Sequence, residues 1–158
     1  MLLQIDSNLN VKLFDFKFST RVGGTIIPFG PLKVIAPEVF RDFESSFESD
    51  AFQLGCFFLG LVTRGGLPFP ELTNEKVAEK RITGVRLTPK VPRCAPAWLA
   101  TLISRLVKHN AADRSTIATA WTELTNLGKV MPAETAAQLV VTPAKAQAAV
   151  PVGFPKQS

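Results

Sequence analysis

Ala51-Phe52-Gln53-Leu54-Gly55-Cys56-Phe57-Phe58-Leu59-Gly60-Leu61-Val62-Thr63 is the longest uncharged run near mid-chain, closed off by Asp50 and Arg64. As a helix its 13 residues would extend only ~20 Å, short of the ~30 Å hydrocarbon layer of a bilayer. The run is therefore assigned to a protein interior, and no membrane span is expected. Its continuous apolar character reads as a long, buried central strand. Gly55 and Gly60 then mark bends or places of close backbone approach. A central strand needs partners, and the flanking sequence is read for them.

On the N-terminal side, Leu9, Val11 and Leu13 alternate on odd positions, and Phe14, Phe16 and Phe18 on even ones. Alternation of period two means a strand with one buried face, and the switch of parity at 13–14 points to a bulge. Asp6-Ser7-Asn8 supplies turn chemistry, so residues 2–5 and 9–18 are expected to pair as a hairpin. Residues 25–29 and 32–35 are short apolar runs confined to sheet edges by Pro28, Gly30 and Pro31. Between them and the central run, Val39, Phe40, Phe43 and Phe47 fall at helical spacing. Pro37 suits the first helical position, Glu38 the first turn, and Ser49-Asp50 the end. Phe43 is thus expected in the core.

Beyond the central run, residues 73–80 form a short helix candidate and residues 82–88 a strand. In residues 96–108, Trp98, Leu99, Leu102, Ile103, Leu106 and Val107 make one apolar helical stripe. Asp113 is suited to cap a helix that ends near Gly128, with Ile117, Trp121, Leu124 and Leu127 inward. Residues 132–141 suit a third helix, and residues 143–158 an extended arm rich in Ala, Pro and Val.

Composition agrees with that division. Eleven of the 12 phenylalanines precede residue 70, while 14 of the 17 alanines lie from Ala95 onward. Phenylalanine favours pleated surfaces and alanine helices. The fold class read from these patterns is α+β: a Phe-rich, mainly antiparallel sheet with one amphipathic helix, then an Ala-rich helical part and an extended tail. It is read as a single domain over residues 1–142, β-rich over 1–90 and helical over 95–141, followed by the arm.

Charge is segregated. The formal charge of +5 divides into +2 over residues 1–37, −5 over 38–79 and +8 over 80–158. Mean hydropathy is +0.18, high for a protein with no partner covering its surface. With two cysteines 38 positions apart and one histidine, the chain is neither a disulfide scaffold nor a zinc finger. Cytosolic synthesis follows from the sparse cysteines and the lack of a basic, apolar leader at Met1.

Candidate chemistry is thin. His109 is the sole histidine available as a base, and it sits where a helix ends, a place that suits a capping side chain. Cys94, beside Arg93 and a helix start, is either an activated thiol or an accessible structural one. Glu38, Asp42, Glu44, Glu48 and Asp50 supply carboxylate pairs at four-residue spacing, fit for Mg²⁺ or acid–base work. The same spacing also describes the solvated side of an amphipathic helix. Gly23-Gly24 and Gly65-Gly66 suit hairpin turns or phosphate nests, without the Gly-Lys-Ser/Thr of a P-loop. A helix-turn-helix fails, since Glu123 falls at an apolar position of that motif.

The basic stretch says more. Lys80, Arg81, Arg86, Lys90 and Arg93 occur with no acid between them, and Arg105, Lys108 and Arg114 follow. These eight are the candidate polyanion-binding residues. No catalytic residue, metal ligand or cofactor is assigned. The expectation is a non-enzymatic structural or assembly protein that contacts itself or a larger complex, of the build of a virion, nucleocapsid or matrix subunit. The alternative is a nucleic-acid-binding or packaging accessory protein using residues 80–114.

Overall fold

The computed structural model describes residues 2–5 and 11–130, which fall into a unit ending at Thr122 and a second one beginning at Glu123. The expected helix at 132–141 and the arm at 143–158 lie outside the described residues. The hairpin forms. Strand β1 (Leu2–Ile5) pairs antiparallel with β2 (Val11–Phe14), in a register that sets Leu3 opposite Leu13 and Gln4 opposite Lys12. Strand β2 stops short of residue 18 because Asp15 turns left-handed (φ 62°) and takes the chain out of the ladder.

The sheet-centred reading is corrected here: among the described residues this hairpin is the only sheet, and the core is helical. Residues 51–63 do not form a central strand. They belong to helix α2 (Phe47–Val62), whose buried residues Phe52, Cys56 and Leu59 recur at helical spacing. The start signal is Ser46, whose Oγ accepts from the Ser49 amide at 3.0 Å while the Ser46 amide donates back to Ser49 Oγ at 3.1 Å. That reciprocal cap satisfies two orphan donors and nucleates the helix. The run shows no helical period because the exposed side of α2 is apolar too, with Phe57 and Leu61 open to solvent, so no polar position marks the wet face.

Gly55 is where α2 meets α4 (Ala97–Leu106). A Cβ there would lie 2.6 Å from Val107 Cγ1 and 2.8 Å from Leu106 Cβ, so the close approach requires glycine. Helix α4 buries Leu102, Ile103 and Leu106 as its stripe anticipates. The core joins Ala36, Val39, Phe52, Cys56, Leu59, Ile103 and Val107.

The helix expected across 37–50 is broken. Helix α1 (Val39–Asp42) is a single turn, and Phe43 closes it in the left-handed region (φ 54°), its amide bonded to Val39 O. Phe43 is consequently 47% exposed rather than in the core. Residues 25–29 and 32–35 do not form edge strands either. Thr25 makes one isolated antiparallel bridge with Glu44, and Leu32–Val34 is a single 3-10 turn. Helix α3 (Asn74–Ile82), capped by Thr73, confirms the short helix. The strand at 82–88 is replaced by a helix ending: Gly84 (φ 75°) lets its amide reach Arg81 O and the Val85 amide reach Lys80 O. A 3-10 turn, Ala111–Asp113, precedes α5 (Ile117–Val130). Asp113 therefore does not cap α5; the Thr116 hydroxyl accepts from the Thr119 amide instead. Ile117 and Trp121, expected inward, are exposed.

Candidate functional site

The helical core gathers two buried arginines around one phenylalanine. Arg114, 7% exposed, lies just after the turn at 111–113 and points back toward the start of α2. Its Nη1 and Nη2 donate to Glu38 Oε1 and Oε2 at 2.6 and 2.8 Å, a two-pronged pair spanning 76 positions of sequence. The remaining donors reach backbone carbonyls: Nε to Lys108 at 2.8 Å, Nη1 to Glu48 at 2.8 Å and Nη2 to His109 at 3.0 Å. The guanidinium carbon lies 5.0 Å from the Phe52 ring centroid. A planar fork satisfied on every edge is what arginine, and not lysine, can do.

Arg81, 4% exposed, comes from the last turn of α3. It has no carboxylate partner. Its Nη1 donates to the carbonyls of Leu32 (3.0 Å) and Ile35, and its Nη2 to Lys33 O at 3.3 Å. Its guanidinium carbon lies 5.3, 5.4 and 5.6 Å from the rings of Phe40, Phe52 and Phe69. Burial lowers its pKa to about 10, while the nearby Glu38 charge opposes that fall and the Arg114 cation adds to it.

These contacts redistribute the basic set. Arg81 and Arg114 are turned into the fold, so neither side chain is presented to a polyanion. Arg86, Lys90, Arg93 and Lys108 are exposed, and Lys80 and Arg105 are half-buried. The acidic set is divided by the break at Phe43. Glu38 holds Arg114, Asp42 pairs with Arg41 at 2.6 Å on the surface, and Asp50 lies in the first turn of α2. Asp50 lines a groove of about 350 Å³ together with Phe16, Phe18, Phe29 and Ser46, and burial pushes its carboxyl pKa up. Cys94 is exposed, whereas Cys56 is buried and its thiol is pushed up to about 12 by desolvation. The His109 Nδ1 is buried without a hydrogen-bond partner, and the residue contributes its carbonyl to Arg114. Gly23 and Gly65 both turn with positive φ, consistent with turn glycines.

At the hairpin exit, Asp15 is followed by Phe16 and by Lys17, whose Nζ lies 3.6 Å from Asp15 Oδ2 and 5.3 Å from the Phe18 ring centroid. Among the described residues no group of three or more His, Cys, Asp or Glu side chains could hold a metal ion.

The chain is similar to known proteins. Residues 3–124 match the family described as protein tyrosine and serine/threonine kinase. Tyrosine-protein kinase SRK2 of Spongilla lacustris is 33% identical over 86 residues, covering 54% of this chain and 23% of that protein. Tyrosine-protein kinase Fer of Rattus norvegicus is 25% identical over 130 residues, 79% of this chain and 16% of that protein. Aurora kinase of Schizosaccharomyces pombe is 30% identical over 119 residues, 74% of this chain and 32% of that protein. The chain thus spans between a sixth and a third of the length of these relatives.

The match overturns the expectation of a non-enzymatic assembly protein or virion subunit, and the α+β sheet with it: the relatives are kinases, and the fold is part of a kinase fold. Within the matched range, Ala36-Pro37-Glu38 spells the kinase A-P-E motif, and Asp15-Phe16-Lys17 agrees with D-F-G at two of its three positions. Neither motif lies on the acidic helix face or the strand that spacing predicts around Glu38 and Asp15. The patterns G-x-G-x-x-G-x-V and H-R-D-L-x-x-x-N do not occur in the 158 residues. The match covers more than three quarters of the sequence, and on that evidence the chain belongs to the protein tyrosine and serine/threonine kinase family.

Proposed function

We propose that this chain is the portion of a phosphotransferase that runs from the D-F-G position past A-P-E, serving transfer of a phosphoryl group from a nucleotide to a protein hydroxyl. The observation that carries this reading is the buried, two-pronged Glu38–Arg114 pair. It ties the A-P-E end of the intervening segment to the helical core, leaving the other end at Asp15 beside the hairpin. In kinases the aspartate of D-F-G holds Mg²⁺ against the nucleotide phosphates, and ordering of the segment up to A-P-E controls activity.

Asp15 fits the first role as a single ligand. The second metal ligand of the family, the asparagine of H-R-D-L-x-x-x-N, has no counterpart in these residues, so the described part does not make a complete metal site. Bound there, the metal would neutralise charge on the transferring phosphate. The chain's own contribution is to place Asp15 on the hairpin and to fix the segment that follows.

Transfer of label from γ-labelled ATP to a mixed protein acceptor tests the reading, with a separate polypeptide that carries the glycine-rich loop and the H-R-D motif added to the reaction. Asp15→Asn is expected to lower kcat/KM by about 100-fold or more. Unchanged transfer would remove Asp15 from the reacting centre, and no transfer by the unaltered protein would refute the activity.

A further inference from the structure

The stretch just before A-P-E has unusual support. Leu32–Val34 is one 3-10 turn between Gly30-Pro31 and Ala36-Pro37, with the Val34 amide bonded back to Pro31 O. The carbonyls of Leu32, Lys33 and Ile35 point away from any ladder or helix. All three converge on the Arg81 guanidinium, 46 to 49 positions later. A return contact closes the loop: Lys33 Nζ donates to Phe69 O at 3.0 Å, and the Phe69 ring is one of those that face Arg81. Phe69 itself is held in the left-handed region (φ 54°), and its carbonyl also accepts from the Leu72 amide at 3.1 Å.

The charge balance shows what this arginine does. Two guanidinium groups lie about one Phe52 ring, at 5.0 and 5.4 Å, and Glu38 is committed to Arg114. Arg81 therefore has no carboxylate in contact, Glu38 acting on it only at a distance, and its Nε is buried with no acceptor. Burying a charge without a counter-ion costs stability, and an apolar side chain of similar volume would fill the same space at lower cost. What the apolar side chain lacks is donors for three backbone carbonyls. The cation is thus a device for the backbone of 32–35 rather than for the core.

From this convergence we infer that Arg81 is a positioning residue that locks residues 32–35, the end of the segment between D-F-x and A-P-E, in one conformation without a phosphate group. Kinase activation segments are commonly ordered by new arginine contacts to a phosphorylated side chain. Here an internal arginine performs the ordering on main-chain oxygens, so the last turn before A-P-E is set by the fold itself. The functional weight of the lock rests on the kinase reading given above; the lock itself does not.

The experiment is limited trypsin digestion of the 158-residue chain, with cleavage after Lys33 reporting on the lock and cleavage after Arg105, inside α4, reporting on global unfolding. In Arg81→Met, cleavage after Lys33 is expected to rise about 10-fold or more, since charge-assisted hydrogen bonds are lost, while cleavage after Arg105 changes far less and the melting temperature falls only slightly. Arg81→Lys keeps the charge but not the fork, and should fall between the two. Unchanged cleavage after Lys33 in Arg81→Met would overturn the proposal. So would equal acceleration at Lys33 and Arg105, because Arg81 would then be an ordinary core residue. If Arg81→Met does not fold, Arg81→Lys decides the same question by the same two bonds. The transfer assay separates the two readings: no transfer by the unaltered protein refutes the kinase activity and leaves the digestion result standing. Selective release at Lys33 with unchanged transfer would refute the lock's role in activity alone.

Discussion

Residues 32–35 and 36–38 are neighbours in sequence, and each is gripped by a buried arginine from far along the chain. The grips differ in kind. Arg114 meets a carboxylate, so the buried charge is matched within the pair and the contact staples A-P-E to the core. Arg81 meets only carbonyls and ring faces, with no carboxylate in contact, and its effect falls on backbone geometry. The lesson is that burial of an arginine does not by itself state its role; the partner does. One site stabilises the fold, and the other spends stability on conformation.

That difference can be broken at the first site. Arg114→Met should be the most damaging of the changes considered, at about 3–5 kcal/mol, because it leaves the Glu38 carboxylate and three carbonyls without their partner. Urea titration measures it. Arg81→Met should cost far less in the same titration. Equal losses would erase the distinction between staple and lock. Adding Glu38→Met to Arg114→Met should restore part of the stability, since no unpaired charge then remains.

The shared ring offers a second, smaller test. Phe52 is fully buried and faces both guanidinium groups. Phe52→Leu keeps an apolar side chain but removes the π face, and should cost roughly 1–3 kcal/mol. Double-mutant cycles should give coupling of at least about 0.5 kcal/mol with each arginine. Coupling to Arg114 alone would mean that Phe40 and Phe69 suffice for Arg81.

How much of this was legible in the sequence follows from the same physics. Helix α4 was readable because one side is dry and the other wet, so Leu102, Ile103 and Leu106 stand out against Thr101, Ser104 and Arg105. Helix α2 was not, because its run from Ala51 to Thr63 carries no charged position to reveal a period, and its start signal sits upstream at Ser46 and Ser49. Phe43 misled for another reason: helical spacing continues through it, but its backbone leaves the helix. The basic residues misled because charge in a sequence is silent about burial. Arg81 and Arg86 look alike as letters, yet one is inside and one outside. The motifs at Asp15 and Ala36 are two short patterns separated by a segment whose regular structure is limited to one bridge at Thr25 and the 3-10 turn at Leu32–Val34, and periodicity is blind to them.

The same core also controls Cys56, packed beside Phe52, and compares it with Cys94 outside. An alkylating reagent near neutral pH should label Cys94 and spare Cys56 until the chain unfolds. Burial holds the Cys56 thiol protonated up to about 12, whereas in the unfolded chain it ionises near 9.0. Its contribution to stability is therefore complete below 9.0 and is lost as pH rises toward 12. The slope should amount to about 1 kcal/mol for the first pH unit of that window. Cys56→Ala should remove this pH dependence, and an unchanged slope in that variant would assign it to another group.

The smallest effect belongs to the pair that most resembles Glu38–Arg114 on paper. Arg41 donates from Nε and Nη2 to the two oxygens of Asp42 at 2.7 and 2.6 Å, a fork as short as the buried one. The Arg41 side chain is 73% exposed, however, and water and salt screen what the geometry offers. The hydrogen bond from Arg41 holds the Asp42 carboxyl below its ordinary 3.8, so any stabilisation is present above that value and fades as pH falls below it. Asp42→Asn should nevertheless change the unfolding free energy by no more than about 0.5 kcal/mol near neutral pH, and by nothing measurable in high salt. The loss in Arg114→Met should persist in the same salt, because its partner is shielded from solvent. Identical salt sensitivity in the two variants would show that burial is not what separates these forks. An Asp42→Asn loss as large as that of Arg114→Met would reverse the ranking on which the comparison rests.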